Sequence, residues 1–205
     1  MTEITLLHTF GYIGLALIIF SESGLLFGLL LPGDSLLFSA GFLVSVGYFQ
    51  LVPLLILTFI ASVTGYTLAY YLGKKYGIRI FKKDDSFFFD KSYIERSENF
   101  FDSHGGKTIL LARFVPVVRT IAPILAGVGG MRRDSFLFYN LVGGLLWADG
   151  LIILGYFLGK KIPDIDTYIL PIVLSVFVVS SMVPSFFYLY KRHVRRRLAR
   201  FHIKS

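Results

Sequence analysis

Four charged residues of this 205-residue chain lie inside apolar stretches: Glu22, Asp34, Arg113 and Arg119. An ionised side chain at the centre of a helix in a bilayer costs about 2.5 to 3.5 kcal/mol even on the lenient insertion scale. Such residues are therefore retained for pairing or for function. Two are acids early in the chain and two are arginines in its second half, so opposite charges meet if the chain brings the two regions together.

The residue types favour a phosphate site coupled to protons. Guanidinium groups match phosphate oxygens in pairs and stay charged in any surroundings, so Arg113 and Arg119 are the predicted phosphate ligands. Glu22 and Asp34 are the predicted proton carriers, because a carboxylate whose arginine partner turns to a phosphate takes up a proton more readily. The structural alternative is that the four charges only neutralise one another and hold two segments together.

Asp149 is a fifth charge in an apolar segment, close to Trp147. It lies about 20 Å beyond Phe136 along a helix axis at about 1.5 Å per residue. Nothing else in its own segment can pair with it. We predict for Asp149 either a structural partner elsewhere in the fold or a role as a second proton site.

The composition is that of a membrane protein. Apolar residues make up 55% of the chain and charged residues 17%, and the mean hydropathy is +0.68, which excludes an ordinary water-soluble domain. The net charge of +8 is concentrated in a tail, residues 191–205, with seven basic residues and no acid. This tail is predicted to lie in the cytoplasm beside anionic head groups rather than to bind nucleic acid.

Two apolar stretches are interrupted by proline. Residues 4–49 are too many for one crossing and contain Pro32-Gly33, and residues 108–131 contain Pro116 and Pro123. Proline removes a backbone donor and ends a helix. Irregular backbone of this kind survives at membrane depth only inside protein or beside water. Each stretch is therefore predicted to contain a re-entrant helical hairpin, which enters and leaves the membrane by the same face. In the first stretch a spanning helix precedes the hairpin.

The hairpins, at about 22–48 and 106–131, are predicted to open to opposite faces of the membrane. Each contains an Ala-Gly dipeptide after its proline, at Ala40-Gly41 and Ala126-Gly127. Two broken segments of opposite orientation that meet near the midplane form an inverted repeat, which is typical of transporters.

Three spanning helices are predicted at 51–73, 136–158 and 168–190. Basic residues follow the first and the last of these, which places both ends in the cytoplasm. The polar segment 84–105 mixes charges with aromatic residues and predicts an interfacial amphipathic helix. The expected fold is thus an all-α integral membrane protein, with one domain over residues 1–190.

Several motifs extend from about Gly14 to Gly159. They are Glu22-Ser-Gly-Leu, Leu31-Pro-Gly-Asp34-Ser-Leu-Leu, Ala40-Gly-Phe-Leu, Tyr70-Tyr-Leu-Gly73, Phe101 through Gly105, Arg113-Phe-Val-Pro116-Val-Val-Arg119-Thr, Leu125-Ala-Gly127-Val-Gly-Gly-Met131, Phe138-Tyr-Asn140 and Trp147. Together they resemble the DedA family of membrane proteins, also described as having a SNARE-associated or VTT domain.

The resemblance implies two facing re-entrant hairpins in a bacterial inner-membrane protein. It also implies return of undecaprenyl phosphate to the cytoplasmic leaflet, or movement of other phospholipids. Glu22, Asp34, Arg113 and Arg119 match positions that the family treats as essential, whereas Asp149 is outside the pattern. One departure is that many relatives read Gly-Asp in the second helix where this chain has Gly65-Tyr66, so any role of that acid is missing here.

Other functions remain open at this point. They are a general phospholipid scramblase or flippase, a proton-coupled small-ion or drug antiporter, a scaffold, and a membrane lipid phosphatase. The last is disfavoured because the histidines, at positions 8, 104, 193 and 202, lie outside the broken helices, and catalysis needs a positioned nucleophile and an acid or base. No enzyme activity, cofactor or metal is expected. The expected partners are a membrane lipid and protons, with a homo-oligomer possible.

Overall fold

The computed structural model describes residues 2–25, 31–81 and 105–161. In these ranges every regular element is helical: α1 (Thr2–Gly24), α2 (Gly33–Ser45), α3 (Leu51–Phe81), α4 (Lys107–Ala112), α5 (Pro116–Val128), α6 (Arg133–Gly144) and α7 (Gly150–Lys161). A π-helical turn, Leu145–Asp149, joins α6 to α7. The predicted spanning helix at 168–190 and the basic tail lie outside the described ranges, as does nearly all of the predicted interfacial helix.

Within the described ranges, two helices are long and apolar enough to cross a bilayer. Leu51–Tyr76 has 26 residues, and Arg133–Lys161, which includes α6, the π turn and α7, has 29. At about 1.5 Å per residue both exceed the hydrocarbon thickness of about 30 Å. Both contain the spanning helices predicted from the sequence and extend beyond them. The prediction of an all-helical membrane protein is confirmed for the described residues.

The shorter helices begin at prolines. α2 starts directly after Pro32, and α5 starts at Pro116, where the missing backbone donor costs nothing because the first turn has no acceptor for it. Pro123 lies inside α5 without ending it. Glu22, expected at the start of the first hairpin, instead occupies the last turn of α1, because polar side chains do not remove backbone donors as proline does.

Close contact at glycines holds α2 against α7. A Cβ atom at Gly41 would strike the backbone carbonyl of Ile152, and a Cβ atom at Gly155 would strike that of Phe38. Small residues let helix backbones approach in this way, which favours packing where lipid provides no hydrophobic driving force.

The contact between α3 and α5 repeats this geometry. A Cβ atom at Gly127 would strike the carbonyl of Tyr70, and one at Gly73 would strike that of Ile124. In each helix pair, the Cβ position of one glycine meets a backbone carbonyl of the other helix. That carbonyl lies three residues before the glycine of its own helix. The same crossing therefore occurs twice in the molecule, and each copy uses the glycine of an Ala-Gly dipeptide.

The crossing predicts opposite effects for two glycine substitutions. In an open helix position Gly→Ala stabilises by about 1 kcal/mol. Gly150→Ala is therefore expected to raise the melting temperature in detergent, because the added Cβ has no described atom within 4 Å apart from its chain neighbours and its own helix backbone. Gly127→Ala is expected to lower it, because overpacking costs about 1–3 kcal/mol and a backbone carbonyl cannot turn aside. An equal rise for both variants would contradict the close contact.

Candidate functional site

Arg119 is held between two acids that come from two other helices. Its Nη1 donates a hydrogen bond of 2.6 Å to Oδ1 of Asp34, and its Nη2 donates to Oε1 of Glu22. Glu22 lies in the last turn of α1, Asp34 in the first turn of α2 and Arg119 in the first turn of α5. The structure thus brings three of the four predicted charges together around one guanidinium.

This ionic cluster extends from the interior towards the surface. The side chain of Glu22 is 1% exposed, that of Arg119 13% and that of Asp34 43%. Glu22 packs directly on Gly33, where a Cβ atom would overlap its carboxyl group. The Pro-Gly-Asp sequence therefore allows the start of α2 to approach Glu22, and Asp34 forms the accessible end of the cluster.

Trp147, the one tryptophan of the chain, contacts the same cluster. Its indole N–H donates to Oδ1 of Asp34 at 2.8 Å, and the centre of its ring lies 5.2 Å from Cζ of Arg119. Trp147 is in the π-helical turn, an irregularity that re-aims side chains and is frequent at functional sites. The sequence marked Trp147 as part of a family motif without assigning it a contact.

Arg113 contacts neither Glu22 nor Asp34, so the structural alternative of two neutralised pairs is wrong for this residue. It is 2% exposed, and its Nη1 and Nη2 donate to Oγ of Ser62 at 2.7 Å and Oδ1 of Asn140 at 2.5 Å. The reason is geometric: Arg113 follows the last residue of α4, on the other side of the break from Arg119, and its partners lie on α3 and α6.

Asn140 connects this second network to α3. Its Nδ2 donates to the carbonyl of Val63 at 3.1 Å and to Oγ1 of Thr67 at 3.0 Å. The amide is fully buried and both of its ends are hydrogen-bonded, as buried polar groups require. Sequence reasoning missed Ser62, Thr67 and the role of Asn140; the available signal was polar residues within apolar helices.

Tyr66, the departure from the family pattern, covers the guanidinium of Arg113. Cζ of Arg113 lies 4.0 Å from the centre of the tyrosine ring, a cation–π contact that stabilises a desolvated cation. An aromatic face therefore lies directly beside Arg113.

A small cavity separates the two arginines. It is lined by Glu22, Ser23, Tyr66, Arg113, Arg119 and Trp147 and has a volume of about 10 Å³, roughly the space that one water molecule needs. A phosphate group does not fit, so its binding requires the contacts of Arg119 to open.

Four polar atoms of these lining residues have no hydrogen-bond partner among the described residues. They are Oε2 of Glu22, the hydroxyl of Tyr66, and Nε of Arg113 and of Arg119. Three of the four can donate a hydrogen bond, and buried donors without acceptors are costly. The site is therefore better suited to an anion than to a cation.

Asp149 lies apart from this cluster. It is 7% exposed, its Oδ1 has no partner in the part of the chain that the structure describes, and it does not line the cavity. Both roles considered for Asp149 stay predictions. Within the same ranges, no three His, Asp or Glu side chains gather in a way that could hold a metal ion.

Comparison with known proteins identifies the family. Residues 31–157 match the family model of the VTT domain, a region that includes Asp34, Arg113, Arg119 and Trp147. Protein DedA of Escherichia coli is 41% identical over 173 residues, covering 83% of this chain and 78% of that protein. The chain belongs to the DedA family.

Further relatives agree with this DedA-family assignment. Inner membrane protein YqjA of Escherichia coli is 35% identical over 175 residues, covering 81% of this chain and 79% of that protein. An uncharacterized membrane protein of Mycobacterium tuberculosis is 43% identical over 176 residues, covering 82% and 74%. No solved structure matches the chain. Family membership and the two long apolar helices establish a DedA-family protein of a bacterial membrane.

Proposed function

We propose that this DedA-family protein is a proton-coupled carrier of a lipid phosphate. The substrate we favour is undecaprenyl phosphate, returned from the outer to the cytoplasmic leaflet of the bacterial inner membrane. The observation that carries the proposal is Arg119 held between Glu22 and Asp34. The guanidinium of Arg119 is suited to bind a phosphate, but both of its Nη groups already donate to carboxylates. Phosphate and carboxylates therefore compete for the same guanidinium.

This competition couples phosphate binding to protonation. A phosphate that takes Arg119 leaves Glu22 buried without its counter-ion, and a buried carboxylate in that situation takes up a proton. On the acidic outer side, protonated acids release Arg119 for phosphate. On the less acidic cytoplasmic side the acids lose their protons, recover Arg119 and expel the phosphate, so a proton gradient drives the lipid inwards.

Exposed apolar side chains beside the site support a lipid as substrate. Phe114, Val115 and Val118 lie at the break between α4 and α5, next in sequence to the two arginines, and are about half exposed. A hydrocarbon tail can stay in the bilayer along these side chains while the phosphate enters the polar site. A small ion would gain nothing from contact with these apolar side chains.

The helix geometry supports the two re-entrant hairpins in an inverted repeat. α2 and α5 have 13 residues each, about 20 Å at 1.5 Å per residue, which is too short for a hydrocarbon core of about 30 Å. Each follows a break at a proline and packs through an Ala-Gly dipeptide with the same reciprocal crossing. A single domain over 1–190 with a cytoplasmic C-terminus completes this arrangement.

Reconstitution tests the proposal. Purified protein in liposomes is given undecaprenyl phosphate in the outer leaflet, with phosphatidylethanolamine as the control lipid, with and without an acidic exterior. We expect the polyprenyl phosphate alone to reach the inner leaflet, and faster with the pH gradient. Equal movement of both lipids would indicate a scramblase. Movement of neither would contradict lipid transport and favour an antiporter or scaffold.

Trp147→Phe is expected to slow this transport about tenfold. The variant keeps an aromatic face but loses the N–H bond to Asp34, and a hydrogen bond to a charged group contributes about 1.5–3 kcal/mol. Trp147→Leu, which loses both the bond and the aromatic face, serves as the comparison in the same liposome assay. A phenylalanine variant as fast as the wild type, beside a slow leucine variant, would mean that the ring and not the N–H matters.

A further inference from the structure

Tyr66 carries a buried hydroxyl group that the packing of α3 does not use. The side chain is 1% exposed, and its hydroxyl has no hydrogen-bond partner among residues 2–25, 31–81 and 105–161. Tyr70, one turn later and equally buried, donates its hydroxyl to the carbonyl of Met131 at 2.6 Å. Because an unpartnered buried hydroxyl costs free energy, phenylalanine would serve packing better at position 66.

The ring of Tyr66 is fixed by its neighbours. The guanidinium of Arg113 lies 4.0 Å from its centre, and the ring of Phe136 is stacked on it with centroids 6.1 Å apart and an interplanar angle of 12°. Tyr66 also lines the cavity that it shares with Arg119 and Trp147. A rigid ring in this position presents its hydroxyl as a preorganised donor, which binds without loss of rotamer freedom.

We propose that the hydroxyl of Tyr66 donates a hydrogen bond to an oxygen of the bound phosphate, so that Tyr66 is a substrate-binding residue. The inference rests on the proposed function and deepens it. Among the described residues, Nε of Arg113 and Nε of Arg119, which line the same cavity, also lack hydrogen-bond partners, so three donors are available to one anion. Unlike Arg119, Tyr66 has no carboxylate partner in the described structure that must first be displaced.

The depth of Tyr66 selects the class of ligand. Asp34, at the accessible end of the site, is 43% exposed, whereas Tyr66 is almost fully buried. A phosphate that reaches Tyr66 has entered the site completely, with its tail behind it. A phosphate monoester at the end of a lipid fits this requirement, since three terminal oxygens face three donors. A diester, with a second substituent beyond the phosphate, does not.

The binding experiment uses the single tryptophan of the chain, Trp147, as a fluorescent reporter because it lines the same cavity. Purified full-length protein in detergent is titrated with farnesyl phosphate, a short polyprenyl monoester. We expect saturable binding by the wild type and a Kd about tenfold higher or more for Tyr66→Phe, the effect of losing one hydrogen bond to a charged group. Dioleoyl phosphatidic acid should bind and dioleoyl phosphatidylglycerol should bind at least tenfold more weakly.

Tyr70→Phe is the matched control, because its hydroxyl is buried on the same helix but bonded to a backbone carbonyl. Tyr70→Phe should lower the melting temperature and leave the Kd unchanged. Tyr66→Phe should raise the Kd without lowering the melting temperature. Equal Kd values for the wild type and Tyr66→Phe would overturn the role of Tyr66 alone. Absence of farnesyl phosphate binding by the wild type would overturn the proposed function as well. Inorganic phosphate competing at equal concentration would assign the site to free phosphate instead of a lipid.

Discussion

Arg119→Lys is expected to reduce transport of the lipid phosphate by at least about a hundredfold while the protein still inserts and folds. Lysine keeps the positive charge but cannot present the two parallel donors of a guanidinium. Two lost hydrogen bonds to a charged group, each contributing about 1.5–3 kcal/mol, correspond to a factor of this size, because 1.36 kcal/mol is tenfold in rate. The measurement is the initial rate of undecaprenyl phosphate movement in liposomes that contain equal amounts of each protein.

Arg133→Lys is the control for that substitution. Arg133 is exposed at the start of α6 and does not line the cavity, so its variant should transport at the rate of the wild type. If Arg119→Lys also transported at that rate, phosphate binding by the Arg119 guanidinium would be ruled out, and the ion pairs with Glu22 and Asp34 would be structural.

Arg113→Lys is expected to act on stability first. The guanidinium of Arg113 donates to Ser62 on α3 and to Asn140 on α6 at the same time. The single ammonium group of lysine cannot replace both hydrogen bonds and the contact with Tyr66. Each buried partner left unsatisfied costs about 1–3 kcal/mol, so a loss of about 2–4 kcal/mol is expected. It should appear as a lower melting temperature in detergent, larger than any change caused by Arg119→Lys.

The two lysine variants therefore separate two roles that look identical in sequence. Stability lost at position 113 and transport lost at position 119 would support a division in which the Nη groups of Arg113 hold the helix packing and those of Arg119 bind phosphate. A stable Arg113→Lys protein that fails to transport would contradict this division, since it would show that the Nη groups of Arg113 serve the substrate and not the helix packing.

Much of the fold could be predicted from the sequence because the membrane restricts it. A long apolar run whose one proline lies in its first turn is expected to be a spanning helix, as at Leu51–Tyr76 with Pro53, because proline is tolerated in a first turn. The breaks at Pro32 and Pro116 in turn precede the starts of two new helices. The Ala-Gly dipeptide occurs once in each broken segment, at Ala40-Gly41 and Ala126-Gly127. In the structure the glycine of each dipeptide makes the same close helix crossing. The predicted hairpin began at about residue 22, whereas α1 continues to Gly24.

The site was harder to predict, because partners depend on three-dimensional position. The sequence identified four charges in apolar surroundings but could not show that Arg119 takes both acids while Arg113 takes neutral partners. Ser62 and Asn140 are 78 residues apart in the chain, and Arg113 donates a hydrogen bond to each of them. Tyr66 and Trp147 resemble ordinary apolar side chains in sequence; the unpartnered hydroxyl of one and the bond from the other to Asp34 become visible only in the folded chain.

The competition for Arg119 is tested most directly by the affinity of the double variant Glu22→Gln/Asp34→Asn for farnesyl phosphate, followed by the fluorescence of Trp147. Both substitutions keep the shape of the side chain and remove its charge. We expect binding about tenfold tighter than in the wild type, a gain of about 1.4 kcal/mol, together with loss of transport driven by a pH gradient. Weaker binding than in the wild type would contradict the competition, because it would show that the two carboxylates hold Arg119 ready for phosphate instead of masking it.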